Sequence, residues 1–82
     1  MNKNEILKKV NNVFIDVMDN KDVILEESTT NNDIDEWDSL THILLVVGIE
    51  KEFEIRFNSD DIKNWNNVGA MLDSVEQNLK SK

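Results

Sequence analysis

The chemistry available to this sequence centres on Asp38-Ser39-Leu40, where a serine hydroxyl stands between an acidic stretch and an apolar segment with helical spacing. A serine at a helix start has free backbone N–H groups and the positive dipole end beneath it, which stabilise a phosphate attached to that hydroxyl. The same Asp-Ser pair also reads simply as a helix cap, because either side chain accepts a bond from a first-turn N–H. Other chemistry is sparse. The 82 residues include no cysteine, which excludes a disulfide framework, a thiolate zinc site and a cysteine nucleophile. His42 is the one histidine. It reads as a partly exposed helix residue near its ordinary pKa, and no nucleophile–base–orienter set assembles around it. Asp33, Asp35 and Asp38 suggest a calcium loop. That pattern requires a glycine where Asp38 stands and a bidentate glutamate where Leu44 stands, so no metal site is expected.

What must position the serine is small. A chain of this length supports a single domain, residues 1–82. Such a domain buries only about 60% of the surface its unfolded chain exposes, so a deep catalytic pocket is hard to build and enzyme is the disfavoured class. Seventeen acids against nine bases give a net charge of −8. Between Lys21 and Lys51 there is no lysine or arginine, and eight of the acids lie there, so the rest of the chain is neutral. This middle third reads either as a loop kept soluble by charge or as a surface that steers a basic partner. Nucleic acid is excluded as a partner by the same acidity. The first residues lack a signal-peptide apolar region, and the longest apolar run, residues 43–49, is far short of a membrane span. A soluble, cytoplasmic protein without membrane insertion is the expectation.

Absence of proline and the presence of only two glycines argue for helices over strands and turns. Ile6, Val10, Val13, Phe14 and Val17 line one face of a first helix that ends at Asp19-Asn20, with Asn11 among the solvent-facing residues. Residues 20–38 show no sustained period and form a long loop, which Val23, Ile24, Leu25 and Ile34 should pin to the core. A second helix opens at Asp38 or Ser39 and runs to about Phe53. Leu45, Ile49 and Phe53 form its core stripe, and Leu40, Leu44 and Val47 form another, so part of its apolar surface should face a partner or ligand. Ser59 is expected to cap a short third helix through Ile62 that stops near Trp65, with Asp60 and Asp61 in its first turn. A fourth begins at Asn66 or Asn67 and carries Val68, Leu72, Val75 and Leu79 on one face. The expected fold is all-α: a small four-helix bundle, three longer helices and one short, with a long loop between the first and second.

On these residues the chain resembles the acyl carrier proteins, the stand-alone phosphopantetheine-binding carriers. The likeness runs from Ile6 to Leu79. It rests on Trp37-Asp38-Ser39-Leu40, on residues 50–55 closing the second helix, on the Ser39-to-Phe53 spacing and on Ser59-Asp60-Asp61. The resemblance implies that a phosphopantetheinyl transferase attaches 4'-phosphopantetheine from coenzyme A to Ser39. It implies that Asp38 and Leu40 flank the attached arm, and that the arm's thiol carries acyl or aminoacyl groups as thioesters between enzymes that load and transfer them. A chain without cysteine would need that thiol supplied. Glu36, Trp37, Leu44 and Val47 are the expected partner-docking residues of a monomeric, non-catalytic carrier.

The sequence also departs from the family's fatty-acid carriers. Leu44 stands where those commonly have an acid, His42 is atypical, and Trp37 looks more like carriers of polysaccharide, polyketide or aminoacyl pathways. The rival reading is an acidic helical interaction adaptor with no prosthetic group, in which Ser39 serves only as a cap.

Overall fold

The structure, a computed structural model, describes residues 2–34, 36–63, 65 and 67–80. Three longer helices, α1 (Lys3–Met18), α2 (Ser39–Phe53) and α4 (Val68–Lys80), enclose the core, with a five-residue helical segment, α3 (Ser59–Lys63), between the last two. No strand occurs among the described residues.

Each long helix starts where a side chain can satisfy its unpaired N–H groups. The Asn2 Oδ1 accepts from the Glu5 N–H at 2.9 Å, the Asp38 Oδ1 from the Thr41 N–H at 2.8 Å, and the Asn67 Oδ1 from the Ala70 N–H at 2.8 Å. Of the two expected caps for α4, Asn67 is the one seen; Asn66 lies outside the described residues. Helix α3 corrects its sequence reading. Ser59 is already its first helical residue, and the carbonyl of Asn58 before it accepts from the Ile62 N–H. Helices α1 and α2 stop on left-handed residues, Asp19 at φ 50° and Glu54 at φ 55°, each N–H returning to a carbonyl one turn back. Aspartate tolerates that conformation; at Glu54 the helix-end bonds to Glu50, made by its own N–H and that of Ile55, accompany it.

The core is filled by large apolar side chains, of which Phe14, Ile6, Leu45, Ile49, Met71 and Leu72 are fully enclosed. Helices α1 and α2 approach closely at Gly48, where an added Cβ would lie 2.8 Å from a Val13 methyl carbon. No side chain fits there without a shift.

Residues 20–34 are tied to α1 and α4 through contacts that polar and backbone groups make. Asn11 projects from α1 and grips the loop with both ends of its amide: Nδ2 donates to the Val23 carbonyl at 3.0 Å and Oδ1 accepts from the Leu25 N–H at 2.7 Å. Side chains alternate along extended backbone, so Val23 and Leu25 turn into the core and Ile24, 83% exposed, turns out. Ile24 is therefore not one of the loop's anchors, while Ile34 packs partly against the core. Further on, the carbonyls of Thr29 and Glu27 accept from the N–H groups of Val68 and Gly69 at 2.8 and 2.7 Å, capping α4 with loop backbone. A Cβ on Gly69 would meet that Glu27 oxygen at 3.1 Å, which accounts for glycine there.

Candidate functional site at the start of helix 2

Only one member of the Asp38-Ser39 pair caps. Asp38 does so, and the exposed Ser39 is the first residue inside α2. The Asp38 carboxylate also interacts with the Thr41 hydroxyl and the Leu40 N–H, and together with the Thr41 N–H these bonds hold it below the usual carboxylate range. First-turn donors are thus engaged by Asp38, and they do not all stand free beneath Ser39 as the sequence alone suggested. What remains at Ser39 is an accessible hydroxyl on a fixed helix start, near the positive end of the dipole.

Trp37 departs furthest from its sequence reading. It is 5% exposed, so it belongs to the core and is not part of a docking surface. Its ring meets Phe14 of α1 edge-on at 5.2 Å. Its Nε1 donates to His42 Nδ1 at 3.0 Å. An indole N–H only donates, so Nδ1 must accept, and this fixes the imidazole as the neutral form with its proton on Nε2. His42 in turn meets Trp65 at 5.7 Å, and Trp65 meets Phe57 at 4.8 Å while its Nε1 donates to Ser74 Oγ on α4 at 3.0 Å. This aromatic chain ties α1, the loop, α2 and α4 together directly below Ser39.

His42 is half-buried on α2, as a partly exposed helix residue should be, but its pKa is not the ordinary one expected. Burial pushes its pKa down, partly opposed by a hydrogen bond with the Ile62 backbone. The unfolded chain takes up the proton first, since its histidine keeps a value near 6.5. Native stability should hold above about pH 6.5 and fall as pH drops from there through the depressed folded value. Thermal melts between pH 8 and 5 should show this decline, and His42→Gln should flatten it. An unchanged slope in the variant would assign the decline elsewhere.

Beside Ser39 an open groove of about 510 Å³ runs between α2 and α3, with Asn31, Asp38, His42, Lys63 and Trp65 along its walls. On the outer side of α2, Leu40, Ile43, Leu44 and Val47 form a stripe at i, i+3, i+4 and i+7, from 70% exposed at Leu40 to 44% at Val47. Glu36, also exposed, accepts from Asn20 Nδ2 at 2.8 Å, so its carboxylate is steadied against the end of α1. Asp35, one of the acids considered for a calcium loop, lies outside the described residues, among which no helix is long and apolar enough to cross a membrane.

The exposed Ser39 at the start of α2 thus lies near both an apolar stripe and exposed acids. No family model matches the sequence. The chain is 31% identical over 77 residues to an acyl carrier protein of Porphyromonas gingivalis, covering 93% of this chain and 97% of that one. It is 32% identical over 81 residues to an acyl carrier protein of Cyanidium caldarium, covering 98% and 93%. Its fold matches the solution structure of holo acyl carrier protein from Geobacter metallireducens with a TM-score of 0.87 and 34% identity, over 93% of this chain and 87% of that one. The chain belongs to the acyl carrier protein family. Its role is that of an acyl carrier and not of an enzyme.

Proposed function

We propose that Ser39 is the attachment point of a 4'-phosphopantetheine arm, transferred from coenzyme A by a phosphopantetheinyl transferase. The observation that carries this reading is the exposed Ser39 at the first position of α2, its backbone fixed by the Asp38 cap, in a chain of this family. The residues fit the group: the hydroxyl is accessible, the helix dipole favours the phosphodiester, and Asp38 and Leu40 on either side are both exposed. When bound, the arm supplies a terminal thiol that holds acyl or aminoacyl groups as thioesters, chemistry for which this cysteine-free chain has no group of its own. The protein's residues then present the cargo. The exposed stripe of Leu40, Leu44 and Val47 contacts the loading and transferring enzymes, and Glu36 with the other acids of residues 22–50 steers their approach.

In this reading the chain is a single, monomeric, cytoplasmic carrier domain. An apolar Leu44 where fatty-acid carriers commonly have an acid favours a specialised pathway (polyketide, polysaccharide or aminoacyl) over housekeeping fatty-acid synthesis.

Intact mass after incubation with coenzyme A and a broad-specificity transferase tests the attachment. A gain of one phosphopantetheine is expected, and none in Ser39→Ala. No gain with several transferases would leave the adaptor without a prosthetic group as the better reading.

A further inference from the structure

The groove beside Ser39 is closed beneath and polar along its sides, and both properties bear on the cargo. Its floor is the contiguous Trp37–His42–Trp65 chain. Both indoles are almost wholly buried. To pass below them from Ser39, an alkyl chain would have to part the 3.0 Å bond between Trp37 and His42 and leave an indole N–H and an imidazole nitrogen facing hydrocarbon. In the core Leu45, Ile49, Met71 and Leu72 are already fully enclosed, so a chain of several methylenes entering the bundle would have to push packed side chains apart. Above the floor the balance differs. Asn31, Asp38 and Lys63 offer donors and acceptors to a group lying in the open groove, whereas Ile62 is the one aliphatic side chain among its described lining residues. Ser39 stands on the rim, so a flexible arm attached there can double back into the groove.

We propose that this groove is the resting site for a short, hydrogen-bonding acyl group, of the hydroxyacyl or aminoacyl class, and that the aromatic floor keeps alkyl chains out of the bundle. The proposal rests on attachment at Ser39 and names the cargo that the site suits. It makes this carrier one that exposes its cargo and does not enclose it.

The test uses the full chain loaded at Ser39 by a transferase with non-hydrolysable coenzyme A analogues bearing either an octanoyl or a 3-hydroxybutyryl group. Intact mass comes first; failure to load overturns the attachment itself, before any statement about the groove is reached. On loaded protein, the indole N–H resonance of Trp65 and the backbone amides of His42 and Lys63 should shift with the hydroxybutyryl group. The octanoyl form should keep the core methyl resonances of Leu45, Ile49 and Leu72, and the melting temperature, of the protein carrying the unacylated arm. Shifted core methyls with a raised melting temperature in the octanoyl form would show the chain inside the bundle and overturn the proposal. Groove resonances unmoved by the hydroxybutyryl group would overturn it as well.

Discussion

Trp37→Ala should lose about 3–5 kcal/mol of folding stability, the usual range for removing a buried aromatic from a core. For a domain of this size the total is on the order of 4–12 kcal/mol, so a large share of the molecules would unfold at moderate temperature. The substitution removes more than volume. Phe14 loses its edge-on partner at 5.2 Å, and His42 Nδ1 loses its donor. These two losses separate experimentally. Trp37→Phe restores much of the ring but not the N–H, and should cost about 1–3 kcal/mol, the range for leaving a half-buried acceptor without its partner. Urea titrations of the three proteins measure both steps. If instead Trp37→Ala melts like the parent protein and impairs only its encounters with partner enzymes, Trp37 is a docking residue after all, and the aromatic chain below Ser39 is not what holds the site.

That contrast also marks how far the sequence could be read. The stripes of α1, α2 and α4 were legible because apolar residues recur at helical spacing, and Phe14, Leu45, Ile49 and Leu72 are buried as that spacing requires. Ser39 could be found because Asp-Ser-Leu precedes an over-apolar helix. The misread residues are those whose environment is set by a partner distant in the chain. Trp37 is adjacent to the motif, so it looked exposed, yet its burial depends on Phe14 from α1 and on His42 a turn into α2. Asn11 reads as a solvent-facing residue, because nothing in the sequence announces that a polar side chain grips loop backbone 12 and 14 residues away. Backbone carbonyls carry no residue signature, which hid the capping of α4 by Glu27 and Thr29. Ile24 was lost to a simpler cause. Three consecutive apolar residues fit the core only if the backbone is not extended, and here it alternates.

Adjacent leucines on α2 offer the sharpest test of what the outer stripe does. Leu45 is fully enclosed and Leu44 is 49% exposed, although they are the same residue type on the same helix. Leu45→Ala should lose about 2–5 kcal/mol, since it leaves a cavity in the core. Leu44→Ala removes side chain that is already half in water and should shift stability by well under that, within about 1 kcal/mol by area. Its effect should fall on function. An apolar anchor acts mainly on dissociation, whereas charge acts mainly on the rate of encounter and weakens with salt. Leu44→Ala should therefore slow acyl loading of the arm-bearing protein by its own partner enzymes at any ionic strength. Charge reversal at Glu36 should slow it chiefly at low salt, with the difference fading as the Debye length shrinks to about 3 Å near 1 M. Thermal melts alongside loading rates decide the matter. A loss of several kcal/mol in Leu44→Ala would make the residue part of the packing, and the apolar docking stripe on α2 would have to be abandoned.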